Sequence, residues 1–482
     1  MKFRKYSPGI IGIALLIPLF FQGCATVGPD FTPPKVETPD TFAHTPKQEA
    51  NTISDLKWWE LFDDPILFKL VNTALENNRN VKVALSRIEQ ARAELGYYKA
   101  DEYPAIGLQG GLSTGNYGGS RSTVTTSNVY VAPMLSWELD FWGKFKRSTE
   151  SARVRLVASE YGIRTIQIGL ITDVVSSYYL LLDYHQRLRI SKETLVSRTK
   201  SLGIIQMRFD KGIIPEIDVN QAQIQSAIAA GSIPKYERAI GNAENALGIL
   251  MGQLPREIQS DQPLDLQSVP PFIPGFLPSQ LLERRPEIGE AMALLKAQNE
   301  QIGIAVAERF PAISLTGLLG VASSDLGSIT TSGGIWSMGA GLVSPLFDFD
   351  KSKRKVDIET EKTKQALYTY ENIVLTAFSE VEDALIDIET YQREQKAAEQ
   401  KVAAAKNANI LSFERYDKGV SSYLEALDSE RTLFSAQLEL SGLKRNYFNA
   451  YVKLYKSLGG GWLDETEEKA AQKTAPKATQ GS

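Results

Sequence analysis

Two stretches of this chain repeat one another at a fixed distance. Arg208-Phe209-Asp210-Lys211-Gly212 recurs as Arg415-Tyr416-Asp417-Lys418-Gly419, and Tyr103-Pro104-Ala105-Ile106 as Phe310-Pro311-Ala312-Ile313, both at an offset of 207 residues. The same offset joins Gly96 to Gly303 and Asp218 to Glu425, and it slips by one residue between Asp140-Phe141 and Asp348-Phe349. So few insertions separate the copies that the chain reads as an internal duplication held under tight length constraint. A length of 482 residues would ordinarily suggest two or more globular domains. The repeat overrules that count.

The net charge of −4 comes from 53 basic and 57 acidic residues spread along the chain without a dense basic run, which argues against a nucleic-acid partner. Lys2, Arg4 and Lys5 precede an apolar run from Gly9 to Phe21 that is too short for a comfortable membrane-spanning helix. That pattern reads as a secretory signal over residues 1–23. Cys24, the only cysteine, follows at once in Phe21-Gln22-Gly23-Cys24, so no disulfide can form within the chain. The tetrapeptide resembles the lipobox of bacterial lipoproteins, with Phe21 and Gln22 standing where Leu and a small residue are usual. The resemblance implies lipidation of Cys24, and Ala25 in place of an inner-membrane-retaining Asp implies delivery to the outer membrane.

Residues 24–63 carry Pro29, Pro33, Pro34, Pro39 and Pro46 with little periodicity and are expected to form an extended arm. From Asp64 to about Glu102 apolar residues recur three and four apart, predicting one helix that Pro104 ends. Between Pro104 and Phe141 the period becomes two. Ile106, Leu108 and Leu112, then Val129, Val131, Leu135, Trp137 and Leu139, predict a hairpin around a polar loop from Thr114 to Ser127. The second copy offers Ile313, Leu315 and Leu319, then Trp336, Met338, Ala340 and Leu342, for four strands in all.

Each hairpin is followed by a tract without proline, from about Gly143 to Phe209 and from Lys351 to Tyr416, whose apolar seam at alternating three and four spacing is that of a coiled coil. At 1.5 Å per residue, roughly 65 residues would run about 100 Å. Glycine in each Asp-Lys-Gly accepts the left-handed turn that a Cβ opposes, so the helix breaks there and a return helix follows, Glu216 to Met251 and Tyr423 to Leu458. The expected organisation is a first repeat over 64–252, a linker over 253–278, a second repeat over 279–463 and a disordered tail over 464–482.

Alternating segments of about ten residues flanked by aromatics such as Trp137, Trp142, Trp336 and Phe349 are what membrane-spanning β-strands with an interfacial girdle look like. A soluble sandwich gives the same alternation but usually needs about seven strands. Four strands cannot close a barrel, and an open sheet edge in lipid leaves N–H and C=O groups unpaired at several kcal/mol each. The chain must therefore assemble with copies of itself.

With these residues in view the chain resembles the TolC-like outer-membrane factors, in the lipoprotein branch that includes OprM and CusC. The resemblance spans essentially the whole mature chain. It rests on Cys24 with Val27-Gly28-Pro29-Asp30-Phe31, Trp58-Trp59-Glu60-Leu61-Phe62-Asp63-Asp64-Pro65, Leu281-Leu282-Glu283-Arg284-Arg285-Pro286-Glu287-Ile288, both Asp-Lys-Gly turns, and Leu458-Gly459-Gly460-Gly461-Trp462. Glu287 stands where the family more often has Asp. The resemblance implies an α+β homotrimer in which twelve strands, four per chain, form one transmembrane barrel in outer-membrane lipid, continued by a long helical coiled-coil barrel across the periplasm. Function is then passive export of substrate received from an inner-membrane pump through a periplasmic adaptor.

Leu424 and Asp428, four apart, share one helix face. The family closes its periplasmic mouth with an apolar and an acidic ring at the matching positions, and both roles are carried over. The first copy has Ile217 and Gln221 in register, so the acid occurs only in the second. By itself Asp428 would read as a solvated coiled-coil position. Three such carboxylates around an axis would raise some of their pKa values or recruit a cation. Arg415 and Tyr416 are expected to hold the gate shut through hydrogen bonds to neighbouring helices. The tips at Gly212-Ile213 and Gly419-Val420 are expected to dock the adaptor, a role compatible with ordinary helix capping.

The acidic run Glu380, Glu382, Asp383, Asp387 and Glu389 reads as a solvated helix face. His44 and His185 are the only histidines and lie far apart, and no Gly-rich phosphate loop precedes a helix. Neither an enzyme nor a metal or cofactor site is expected. Six methionines without a cluster lend no support to a dedicated copper route. The competing expectation is a structural lipoprotein that tethers the outer membrane to another layer without a conduit, against which the two hairpins speak.

Overall fold

The computed structural model describes residues 26–39, 41–44, 64–115, 126–258, 263–267, 278–329, 331 and 333–460. Cys24, the signal segment, most of the Trp58–Asp63 motif, Trp462 and the tail lie outside the described residues. The elements run α1 (Pro65–Asn77), α2 (Arg79–Ala100), β1 (Ala105–Gly115), β2 (Thr126–Leu139), α3 (Lys144–Asp210), α4 (Glu216–Leu250), a 3-10 turn (Leu264–Leu266), α5 (Pro278–Arg284), α6 (Pro286–Ala307), β3 (Ala312–Ser323), β4 (Gly334–Val343), α7 (Lys351–Asp417) and α8 (Tyr423–Ser457). Both long helices have 67 residues, both return helices 35, and α2 and α6 have 22 each.

By its contacts the chain divides into one unit of residues 1–36, 86–160 and 290–372 and another of 37–85, 161–289 and 373–482. The first unit holds the sheet, antiparallel throughout, in the order β1-β2-β3-β4. The registers Leu108↔Pro133, Leu135↔Gly317 and Leu319↔Trp336 put even positions of β1 and β4 and odd positions of β2 and β3 on one face. That face is apolar across the sheet: Ile106, Leu108, Leu112, Leu319, Trp336, Met338 and Leu342 are each at least 67% exposed on it. The opposite face carries small and polar residues, among them Gly107, Gln109, Ser136, Glu138, Ser314, Thr316, Gly339 and Gly341. The β2–β3 ladder skips Pro133, which has no N–H to offer.

The aromatic flanks split in two. Trp137 and Trp142 are half-buried and donate their indole N–H to the Glu102 and Pro311 carbonyls at 3.1 and 2.8 Å, with Trp142 stacked on Phe310 at 4.6 Å. Trp336 and Phe349 are exposed. Only the latter pair is exposed as a girdle residue would be, because the indole of Trp137 finds a partner just before β1 and that of Trp142 just before β3.

Beneath the sheet, α3 and α6 approach through Val154, Ala158, Ala293 and Ala297, residues small enough for close packing. The start of the arm is docked here. The buried Arg147 donates Nε to the Val27 carbonyl at 2.8 Å, Nη1 to Glu300 at 2.7 Å, and Nη2 to the Gly28 carbonyl and Asp30, both at 3.3 Å. Gly28 lies so flat on α6 that a Cβ would come within 2.5 Å of the Gly303 Cα, and a Cβ at Gly303 would strike Arg147 at 2.2 Å. One buried cation thus fastens the arm to two helices.

In the second unit the expected single helix from Asp64 to Glu102 is two. Asn78 adopts φ −58° and ψ 133°, ends α1, accepts from the Asn80 and Val81 N–H groups at 2.8 and 3.3 Å, and donates to the Leu250 carbonyl at 2.8 Å. Apolar spacing runs straight through this break because both helices bury the same stripe. Asp64 caps α1 through Ile66 and Leu67 and accepts from the Tyr178 hydroxyl at 2.7 Å. Pro234 sits inside α4, where the carbonyl of the exposed Ala230 loses its helical donor to water.

Arg147→Met should strand Glu300 as an unpaired buried charge and destabilise the protein by about 3–5 kcal/mol. Adding Glu300→Gln should recover most of that loss. Denaturant midpoints measure both effects, and limited proteolysis near residue 28 should report release of the arm in either variant.

Candidate functional site at the helical turns

The ends of α3, α4, α7 and α8 gather around one apolar cluster in the second unit. It is built from Ile205, Val219, Ala222, Tyr416, Tyr423, Ala426 and Leu427, with Leu202, Phe209, Ile214 and Phe413 against it. Seam positions from both copies interleave, so the two helical hairpins pack as one body at this end.

Both turns close alike. The Gly212 and Ile213 N–H groups donate to Phe209 and Arg208 carbonyls at 2.7 and 2.9 Å, and those of Gly419 and Val420 to Tyr416 and Arg415 at 3.0 and 2.9 Å. Gly212 and Gly419 take φ of 71° and 70°. A Cβ at either would meet nothing within 4 Å, so backbone conformation alone demands glycine, and the space beyond is open. Ile213 and Val420 point outward, 66% and 64% exposed. Pro215 and Ser422 cap α4 and α8 without a side-chain hydrogen bond, leaving first-turn N–H groups to solvent beside Glu216, Asp218 and Glu425.

Of the two expected gate-holding residues, Arg415 donates Nε to Glu425 at 2.9 Å and thereby stays within its own hairpin. The Tyr416 ring is buried against Tyr423 at 5.3 Å, and its hydroxyl is buried without a hydrogen-bond partner among the described residues. The contact between hairpins is made by Arg208, the first-copy counterpart of Arg415. Its guanidinium lies 4.9 Å from the Tyr416 ring centre and donates to Asp417 at 2.8 Å. Leu424 is 60% exposed, and Asp428, on the same face, accepts from Arg431 at 3.1 Å.

A second cation went unread in the sequence. Arg198 of α3 is buried, donates Nη1 to the Gln225 carbonyl at 2.8 Å, lies 5.0 Å from the Phe434 ring centre, and has Nε 3.6 Å from the buried Glu430 of α8. Burial pushes the Glu430 carboxyl up and the Arg198 guanidinium down, and each opposes the other's shift. The signal was present. Leu195, Arg198, Leu202, Ile205 and Phe209 run at three-four spacing, as do Tyr423, Leu427, Glu430 and Phe434, so both charges occupy seam positions where apolar residues belong.

Known proteins share these paired long helices and small sheet. A family model described as outer membrane efflux protein matches residues 70–253 and again 277–460. The chain belongs to the outer membrane efflux protein family. It is 32% identical over 466 residues to the probable efflux pump outer membrane protein TtgC of Pseudomonas putida, covering 94% of this chain and 96% of that one. The probable outer membrane lipoprotein SilC of Salmonella typhimurium is 30% identical over 448 residues, 92% of this chain and 96% of its own. The solved outer-membrane channel OprN is similar with a TM-score of 0.84 at 29% identity, over 91% of this chain and all of the other.

This efflux protein is therefore an outer-membrane channel component of an export system, with its helices on the periplasmic side. The described residues include no group of three or more His, Cys, Asp or Glu side chains placed to hold a metal ion. Its candidate site is mechanical: turns, an apolar plug beneath them, and charged contacts between helices.

Because neither Gly212 nor Gly419 has a neighbour for a Cβ to strike, replacement of either by alanine should cost only the left-handed backbone term, about 1–2 kcal/mol. Denaturant unfolding of the two single variants should give similar losses.

Proposed function

We propose that three copies of this chain form one conduit. Their twelve strands close a barrel through the outer membrane, and their long helices continue it as a periplasmic tunnel that receives substrate from an inner-membrane pump through an adaptor. The observation that carries this reading is the sheet. Its one face is apolar and exposed, its other is small and polar, its strands of 10–14 residues suit a bilayer, and the outer edges of β1 and β4 have no partner strand among the described residues. Lipid would cover the first face, water the second, and a neighbouring copy each edge. The long helices and returns of equal length on either side of a linker support an origin by duplication.

Cys24 is the proposed lipid attachment point. A relative named as an outer membrane lipoprotein supports this. Residues 1–23 are then the cleaved signal, 64–252 and 279–463 the repeats, 253–278 their linker and 464–482 a tail. Trp336 and Phe349, both exposed, are proposed to meet the interface between lipid and water.

At the periplasmic end Leu424 and Asp428 are proposed as the gate. Their exposure on one face of α8 supports this, since a threefold axis would gather three copies of each. Asp428 would then exchange its pairing with Arg431 for repulsion or a shared cation at the axis. Arg415 and the buried, unbonded Tyr416 hydroxyl are proposed to hold the hairpin in its closed position. Gly212-Ile213 and Gly419-Val420 are proposed as adaptor-docking tips, supported by their open surroundings.

Purified assemblies of Leu424→Ala/Asp428→Ala should conduct more than wild type in planar bilayers. Equal conductance would refute the gate. A bulky residue such as Trp at Gly419 should abolish cross-linking to the adaptor while trimers persist, whereas loss of the trimers would show the tip to be structural only.

A further inference from the structure

We propose that Arg198 is a positioning residue for the gate: by capturing Glu430 it fixes the rotation of α8 about its own axis, and so aims Leu424 and Asp428. The inference rests on the gate reading above and adds to it a residue on another helix, α3.

Glu430 stands two residues beyond Asp428 on α8, about 200° around the helix. A contact that holds Glu430 inward therefore holds Asp428 outward. Arg198 supplies that contact from α3 and is itself held on three sides, by the Gln225 carbonyl of α4, the Phe434 ring and the Glu430 carboxylate. Apolar contacts around Tyr423, Ala426 and Leu427 attract α8 to the same place but tolerate small rotations, because dispersion has no direction. The charged pair is enclosed by packing, with its closest approach, Arg198 Nε to the Glu430 carboxylate, at 3.6 Å. Its side chains are 1% and 7% exposed, and Arg198 Nε finds no hydrogen-bond partner among the described residues. Buried pairs of this kind add little net stability over apolar replacements, and their best-attested use is to set register.

At the offset of 207, Arg198 corresponds to Ala405, Glu430 to Gln223 and Phe434 to Ala227, so the matching seam has neither the cation, the carboxylate nor the ring.

The test compares Arg198→Met, Glu430→Gln and the double variant as purified full-length assemblies in planar bilayers, with trimer heat resistance on gels as the control for assembly. Each single variant should raise time-averaged conductance roughly tenfold at unchanged trimer yield, and the double should rise no further than either, since both changes remove one contact. Additive effects, or wild-type conductance in all three, would overturn the proposal. If a single variant strands a buried charge and does not assemble, the double strands none and decides alone: an assembled double that conducts like wild type also overturns it. A purely structural role would lower heat resistance and leave conductance unmoved. Wild-type conductance of Leu424→Ala/Asp428→Ala would instead sink the gate reading, so the two failures are distinguishable.

Discussion

Backbone hydrogen bonding sets the terms for everything else in this chain. Within the four-stranded sheet each inner strand satisfies its neighbours, while the outer edges of β1 and β4 present N–H and C=O groups that no strand among the described residues pairs. In water such edges are a liability; in hydrocarbon they are prohibitive. A sheet whose apolar face spans all four strands is nevertheless fitted for hydrocarbon, and a proline at the middle of β2 is tolerated only because the ladder skips it. The edge groups and the apolar face together demand closure by further strands of the same kind. Membership of an outer-membrane efflux family agrees with that demand.

Much of the fold was legible because two periods announce it. Strand limits at Ala105–Gly115 and Thr126–Leu139, and helix limits at Lys144–Asp210 and Lys351–Asp417, fall within a residue or two of where alternation and seam begin and end. Tight turns and prolines punctuate both. What the periods do not carry is a change of axis that keeps the buried stripe in phase. Asn78 divides α1 from α2 without disturbing the spacing of Leu70, Ala74, Val81 and Ala84, all buried on one side. Its amide is bonded to Leu250, a residue distant in sequence, so the break is tertiary in origin. Where the arm lies was not legible for a similar reason. Proline content implies extension, which the arm has, but not where an extended chain lies, which Arg147 and the bare surface of Gly303 decide.

The site at the turns was legible in its outline and not in its bonds. Repeated Asp-Lys-Gly located the tips, and glycine with φ near 70° in both copies bears out the reason given for the break. Which arginine crosses between hairpins could not be read from Arg208 and Arg415, since the two sit in matching motifs. The packing gives that role to Arg208, because Asp417 and the Tyr416 ring both lie within its reach, while Arg415 faces Glu425 at the start of its own return helix. Equal sequences thus acquire unequal partners.

That inequality follows from geometry. The first hairpin lies beside the second at the turns, so one seam, between α3 and α8, lies within the chain, while in the proposed assembly a neighbouring copy would meet the other faces of α4 and α7. Selection can therefore act on the two seams separately even though the ancestral residues were the same. A buried charge pair at the internal seam forms during folding of a single chain, before any neighbour arrives, and its desolvation cost is met once by local packing around Arg198 and Phe434. The same pair at the outer seam would leave each unassembled chain with a half-solvated charge awaiting its partner. Ala405 and Gln223, at the corresponding positions, carry no such charge. An orientation device for α8 is thus best built on the inner seam, where Arg198 stands.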